Sequence, residues 1–151
     1  GRRVSDSDFD GKYRLVYFGF SYCPDVCPVD LQLVGQAMRQ LEASDPKIAA
    51  KIQPIFISVD PERDTPAVLK EFVGAFHPRL IGLTGSPEEI AEVAKRYGIY
   101  FAKVGDEGAE NYLVDHSRTL LLFGQEGEPI AIIPHDQGVD AMVAELRRWV
   151  K

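Results

Sequence analysis

Three features of the 151-residue sequence predict an α/β domain with a central mixed β-sheet flanked by helices. Short apolar runs, each typical of a buried strand, alternate along the chain with segments of helical periodicity. A turn sequence separates the last two runs, which predicts an antiparallel hairpin. An amphipathic segment at 139–150 then predicts a closing helix. Parallel strand–helix units followed by a hairpin and a helix build a mixed sheet.

The first strand and the first helix flank the segment of most chemical interest. Residues 13–20 form a continuous apolar run, the pattern of a strand buried on both faces. Between residues 29 and 43 apolar side chains recur with helical spacing, and Pro28 fits the first turn, where its missing N–H costs nothing. The pattern therefore predicts a strand, a short loop and a helix.

The elements that follow continue this alternation. Residues 52–59 predict a second buried strand, and Thr65 and Pro66 open a helix that runs through residue 76. The remaining elements are a strand at 80–83, a helix at 86–98, strands at 99–104, 119–123 and 129–133, and the closing helix. This order matches a thioredoxin-like fold, in which the active site lies at the carboxyl ends of the strands.

Composition limits the classes of function. With 45% hydrophobic and 26% charged residues, the chain has the balance of one globular domain over residues 1–151. A net charge of −6 argues against nucleic acid and anionic membrane surfaces as partners. No apolar run reaches the roughly 18 residues of a membrane span. Because the sequence starts at Gly1 rather than Met, we expect that a preceding segment was removed by processing or truncation.

The only two cysteines lie in the predicted loop, within the segment YCPDVCP at 22–28. Their spacing of four residues lets the α-carbons of Cys23 and Cys27 lie near ~6 Å, which a disulfide accepts, and lets both thiolates point at one ion. A helix amino terminus lowers the pKa of a nearby thiol, so thiolate is available near neutral pH. Thiolate pairs select soft ions such as Cu(I), whereas structural zinc takes four protein ligands.

Three interpretations of the cysteine pair stay open: a soft-metal site, a redox pair and a stabilising disulfide. The disulfide would close a loop of only five residues, so it would contribute little stability. The metal and redox interpretations use the geometry better, and copper is the metal that we expect.

His116 is the expected third ligand. It lies just before the apolar run 119–123, and in a thioredoxin-like fold the loop that enters this strand faces the cysteine loop. One imidazole and two thiolates give a three-coordinate site suited to both oxidation states of copper. A histidine before a strand is also a common structural residue. We interpret His77 as structural or solvated and His135 as a surface residue.

Acidic residues near these positions have two interpretations. Asp60 follows the second strand and is placed either to reach the cysteine loop or to form the Asp-Pro turn, with Glu62 and Asp64 close behind it. Asp115 is placed to hold the imidazole of the adjacent His116. Asp25, between the cysteines, is expected to be exposed.

With these residues identified, the chain resembles the SCO/SenC family of copper-binding, thioredoxin-like proteins that assist cytochrome c oxidase assembly. The resemblance rests on YFGFSYCPDVCP at 17–28, SVDPERDTP at 58–66 and YLVDHS at 112–117. It implies that Cys23, Cys27 and His116 are the copper ligands. It also implies delivery of copper to the copper A centre of oxidase subunit II, or reduction of that subunit's cysteines before metal insertion.

The resemblance further implies anchoring to the inner membrane in the periplasm or, in a eukaryote, location in the mitochondrial intermembrane space. A copper metallochaperone is the first hypothesis, and a thiol–disulfide oxidoreductase in which Cys23 attacks and Cys27 resolves is the alternative. The two roles can coexist, because copper binding requires the reduced pair. A peroxide-reducing enzyme is disfavoured, since no arginine and threonine are placed as in peroxiredoxin sites. Enzymatic activity is therefore left open.

Overall fold

The computed structural model describes residues 11–19, 26–58, 64–86, 88–90, 92, 101–104, 113–116, 120–125, 129–133 and 138–150. Its first elements are β1 (Tyr13–Gly19), α1 (Val26–Ser44), α2 (Pro46–Ala50), β2 (Ile52–Ser58), α3 (Pro66–Gly74) and β3 (Ile81–Leu83). They are followed by β4 (Phe101–Val104), β5 (Leu113–His116), β6 (Leu120–Phe123), β7 (Pro129–Ile133) and α4 (Val139–Trp149).

Five strands form the main sheet in the order β3-β2-β1-β6-β7. β1 pairs in parallel with β2, as β2 does with β3, whereas β6 runs antiparallel to both β1 and β7. The predicted fold class, thioredoxin-like with a central mixed sheet flanked by helices, is confirmed, as is the predicted β6–β7 hairpin. β4 and β5 form a second, two-stranded antiparallel sheet.

The core lies between the main sheet and helices α1, α3 and α4. The predicted apolar face of α1 is buried, with exposures of 3% or less at Leu31, Val34, Met38 and Leu41. These side chains join one cluster with Leu15 and Tyr17 of β1 and with Met142, Val143 and Leu146 of α4. Full burial of such side chains contributes about 1.5–3 kcal/mol each, so the core fixes α1 against the sheet.

Most predicted boundaries hold, and the differences have local causes. The Thr65 hydroxyl accepts a hydrogen bond from the Val68 N–H at 3.3 Å, which confirms it as the cap of α3. Ser86 and Glu89 cap one another's backbone N–H groups, as expected for the start of the next helix. The five-residue helix α2 was not predicted, because it is too short to show a period.

Half-buried Arg79 and buried Gln53 brace the amino ends of β2 and β3. The Arg79 guanidinium donates hydrogen bonds to the carbonyl oxygens of Ala49 and Ile52, at 2.9 and 2.5 Å. In return, the Gln53 amide donates to the Arg79 carbonyl oxygen at 2.8 Å. Because these donors and acceptors pair with one another, the hydrogen bonds at the amino ends of β2 and β3 have a structural role.

Gly35 permits α1 to approach the end of the α3 region. A Cβ added at Gly35 would lie 2.5 Å from the carbonyl oxygen of Phe76. We expect Gly35→Ala to lower the free energy of unfolding by about 1–3 kcal/mol, since the overlap with backbone outweighs the roughly 1 kcal/mol that alanine gains over glycine in a helix. Urea denaturation measures this change.

Gly74→Ala is the matched control, because an added Cβ there has no neighbour within 4 Å. This variant should be as stable as the wild type or slightly more so. A Gly35→Ala protein with wild-type stability would contradict the close approach.

Candidate metal centre

Helix α1 carries one of the two cysteines. Cys27 is the second residue of α1, so it lies inside the first helical turn, and the predicted helix start at residue 29 is wrong. Pro28, the third residue, is compatible with this earlier start because first-turn N–H groups have no partner within the helix. The positive end of the helix dipole favours a thiolate at this position. Cys23 and Asp25 lie outside the described residues.

His116 is the last residue of β5, where its α-carbon pairs with Phe101 of β4. The predicted loop position is therefore wrong, because the residue belongs to a strand of the small sheet. β5 has only four residues and its partner is outside the main sheet, so the sequence carried no alternating run long enough to reveal it. Asp115 lies in the same strand, paired with Ala102.

The pairing of β1 directs the segments of Cys27 and His116 to one edge of the sheet. Leu120, the first residue of β6, pairs with Tyr17 near the carboxyl end of β1. His116 precedes Leu120 by four residues, a reach of about 14 Å or less, while α1 follows the end of β1 at Gly19. The backbone thus fits a site that both segments share, although the set of three ligands stays a prediction.

Other predicted positions lie beyond the parts of the chain that the structure describes. These are Asp60, Glu62 and His135. Among the described residues, which do not include Cys23, no group of three or more His, Cys, Asp or Glu side chains is arranged to hold a metal. The proposed roles of Asp60, Asp115 and His135 stay untested.

His77 is a structural histidine. It is 2% exposed, its Nδ1 accepts a hydrogen bond from the Arg79 N–H at 3.0 Å, and its Nε2 lies 2.5 Å from a carboxylate oxygen of Glu42. Glu42 is fifteen residues along α1 from Cys27, about 22 Å at 1.5 Å per residue. The structural interpretation is confirmed, and both ring nitrogens are engaged far from Cys27.

A buried carboxylate lies near the carboxyl ends of β1 and β2, the end of the sheet from which α1 and Cys27 follow. Asp64 and Ser58 are each 0% exposed, and the Ser58 hydroxyl donates a hydrogen bond of 2.6 Å to Oδ2 of Asp64. The sequence placed Asp64 only among turn and cap residues, because an acid after an Asp-Pro turn carries no pattern that distinguishes a buried carboxylate from an exposed one.

The family model and the curated relatives that match this chain all describe SCO proteins. The SCO1/SenC family model matches residues 1–151. The SCO2 homolog, a mitochondrial protein of Bos taurus, is 46% identical over 127 residues, which cover 84% of this chain and 47% of the relative. The chain spans about half the length of the curated relatives that it matches.

Solved structures share the fold. The copper-bound ScoI of Arabidopsis thaliana has a TM-score of 0.89 and 40% identity, over 98% of this chain and 89% of the other. BsSco, a Sco-family cytochrome c oxidase assembly protein with a disulfide switch, has a TM-score of 0.70 and 26% identity, over 98% of this chain and 85% of the other.

Proposed function

The chain belongs to the SCO1/SenC family, and on this premise we propose that it is a copper metallochaperone that binds one copper ion through Cys23, Cys27 and His116. The observation that carries the proposal is the pairing of Leu120 with Tyr17, since it leads the His116 segment to the β1 end from which α1 and Cys27 follow. A relative with 40% identity and the same fold has been solved with copper bound.

The donor set has the chemistry that copper requires. Two thiolates and an imidazole suit a soft or borderline ion and leave the site open for exchange of ligands. Cys27, in the first turn of α1, lies where the helix dipole stabilises the thiolate form that binds metal. Copper is the cargo in this proposal, so the site binds it and passes it to an acceptor through exchange of ligands.

The acceptor in this proposal is the copper A centre of cytochrome c oxidase subunit II. BsSco belongs to a family of cytochrome c oxidase assembly proteins, which supports an acceptor of this kind. The bovine relative is mitochondrial, in agreement with an intermembrane-space location, for which the periplasm is the bacterial equivalent. Membrane anchoring of the full-length protein is part of the proposal, and no helix among the described residues is long and apolar enough to cross a bilayer.

A thiol–disulfide oxidoreductase is the second candidate, and the disulfide switch of BsSco favours it. In this reaction the Cys23 thiolate attacks a partner disulfide and forms a mixed disulfide, releasing one partner thiolate. The Cys27 thiolate then attacks the sulfur of Cys23, which releases the second partner thiolate and leaves a Cys23–Cys27 disulfide. The partner gains two electrons and this chain loses two, and His116 takes no part.

Copper binding should depend on both Cys27 and His116. We expect the reduced wild-type protein to retain one copper per chain after desalting, with thiolate-to-copper charge-transfer absorption when the ion is Cu(II). Cys27→Ser should reduce and shift this absorption, because only one thiolate remains, and His116→Ala should weaken Cu(II) binding by at least about tenfold, because it removes one of three ligands. Elemental analysis and chelator competition measure these effects.

His77→Gln is the control variant. Both ring nitrogens of His77 contact protein groups, and its partner Glu42 lies near the carboxyl end of α1, whereas Cys27 lies at the amino end. It should bind one copper per chain with wild-type affinity. Unchanged Cu(II) affinity in His116→Ala would remove His116 from the site.

The reductase role should separate from the copper role in the His116 variant. Because thiol–disulfide exchange needs only the two thiols, His116→Ala should reduce a disulfide-bonded oxidase subunit II peptide at nearly the wild-type rate, whereas Cys27→Ser should stop at the mixed disulfide. Thiol release and gel-shift assays follow the reaction. A reduced wild-type chain that leaves the peptide oxidised would contradict this second function.

A further inference from the structure

A buried carboxylate close to the candidate copper site has no role in the proposed donor set. Asp64 is 0% exposed, and its Oδ2 accepts a 2.6 Å hydrogen bond from Ser58, itself 0% exposed. A buried carboxylate is costly unless hydrogen bonds or charges compensate for the lost water. The Ser58 hydroxyl supplies one such hydrogen bond.

The start of α3 is capped by the residue that follows Asp64. Thr65 is the cap residue, and its hydroxyl oxygen accepts the hydrogen bond from Val68 N–H. Asp64 precedes this cap residue, and its Oδ2 accepts the hydrogen bond from Ser58 at the end of β2.

The location of Ser58 connects this carboxylate to the cysteine segment. Ser58 is the last residue of β2, and its α-carbon pairs with Gly19, the last residue of β1. Neighbouring strands lie about 4.8 Å apart, and Cys23 follows Gly19 by four residues. The Ser58–Asp64 hydrogen bond thus joins the end of β2 to the start of α3 beside the β1 end that leads to both cysteines.

We propose that Asp64 is a positioning residue of the copper site: its carboxylate, held by Ser58, fixes the β2–α3 junction beside the cysteine segment and places there a negative charge that favours a bound cation. This inference rests on the proposed copper function. Two opposite charges about 10 Å apart at an effective dielectric constant near 20 change a binding constant on the order of tenfold. An effect of that size is expected for removal of the charge.

Three substitutions separate the charge from the local packing. Asp64→Asn removes the charge and keeps an oxygen that can accept the Ser58 hydrogen bond. Ser58→Ala removes the hydroxyl and keeps the charge. Thr65→Ala removes the cap of the same helix and leaves the carboxylate, so it is the matched structural control.

Chelator competition on the reduced chain measures copper affinity, and Cys27→Ser serves as the reference for loss of the site. We expect Asp64→Asn to weaken Cu(II) binding about tenfold, Ser58→Ala to weaken it several-fold, and Thr65→Ala to keep wild-type affinity. In the metal-free chain, the potential of the Cys23–Cys27 disulfide should shift to less negative values in Asp64→Asn, because removal of a negative charge stabilises the thiolates of the reduced form. Thr65→Ala should leave that potential unchanged.

The outcomes distinguish this inference from the proposed function. Wild-type copper affinity in Asp64→Asn overturns the inference, and so does an equal loss of affinity in Thr65→Ala. In either case the metallochaperone proposal stands if Cys27→Ser still loses copper. Wild-type affinity in Cys27→Ser overturns both. If Asp64→Asn does not fold, Ser58→Ala decides: several-fold weakening supports the inference, and wild-type affinity overturns it.

Discussion

The candidate site depends on how β1 pairs with its two neighbours. β2 lies parallel to β1 with Ser58 opposite Gly19, and β6 lies antiparallel to it with Leu120 opposite Tyr17. β2 therefore ends, and β6 begins, beside the carboxyl end of β1. Helix α1 follows β1 from that same end. A slip of one residue in either pairing would turn every side chain of the slipped strand to the opposite face. The buried core sets the register, and the register sets the end of the sheet to which the segments with the proposed ligands are directed.

The polar side chains at the two ends of the strands have different partners. At the amino ends of β2 and β3, Arg79, Gln53 and His77 hydrogen-bond to protein groups and brace the elements that cross there. At the carboxyl ends, Asp64 and Ser58 form a buried pair next to the strand that leads to the cysteines. The proposed copper site lies at the carboxyl ends of the strands, where open α/β sheets bind their ligands.

Much of the fold could be predicted from sequence because its signals are local and strong. The apolar run of β1, the helical period of α1 and the Thr65 cap each identify an element without reference to the rest of the chain. Strand β5 could not be predicted, since four residues outside the main sheet show no usable pattern. The apolar period that predicts α1 begins only at residue 29, so the sequence left Cys27 in a loop, although α1 begins at Val26 and tolerates Pro28 in its first turn. The buried state of Asp64 depends on tertiary contacts alone.

X-ray absorption at the copper edge of the reduced chain, loaded with one copper, tests the central claim most directly. That claim is that two strand pairings bring two thiolates and one imidazole to a single ion. We expect two sulfur ligands and one imidazole nitrogen, with the imidazole signal absent in His116→Ala. A copper surrounded only by oxygen and nitrogen, or by sulfur with an imidazole signal that persists in His116→Ala, would contradict it.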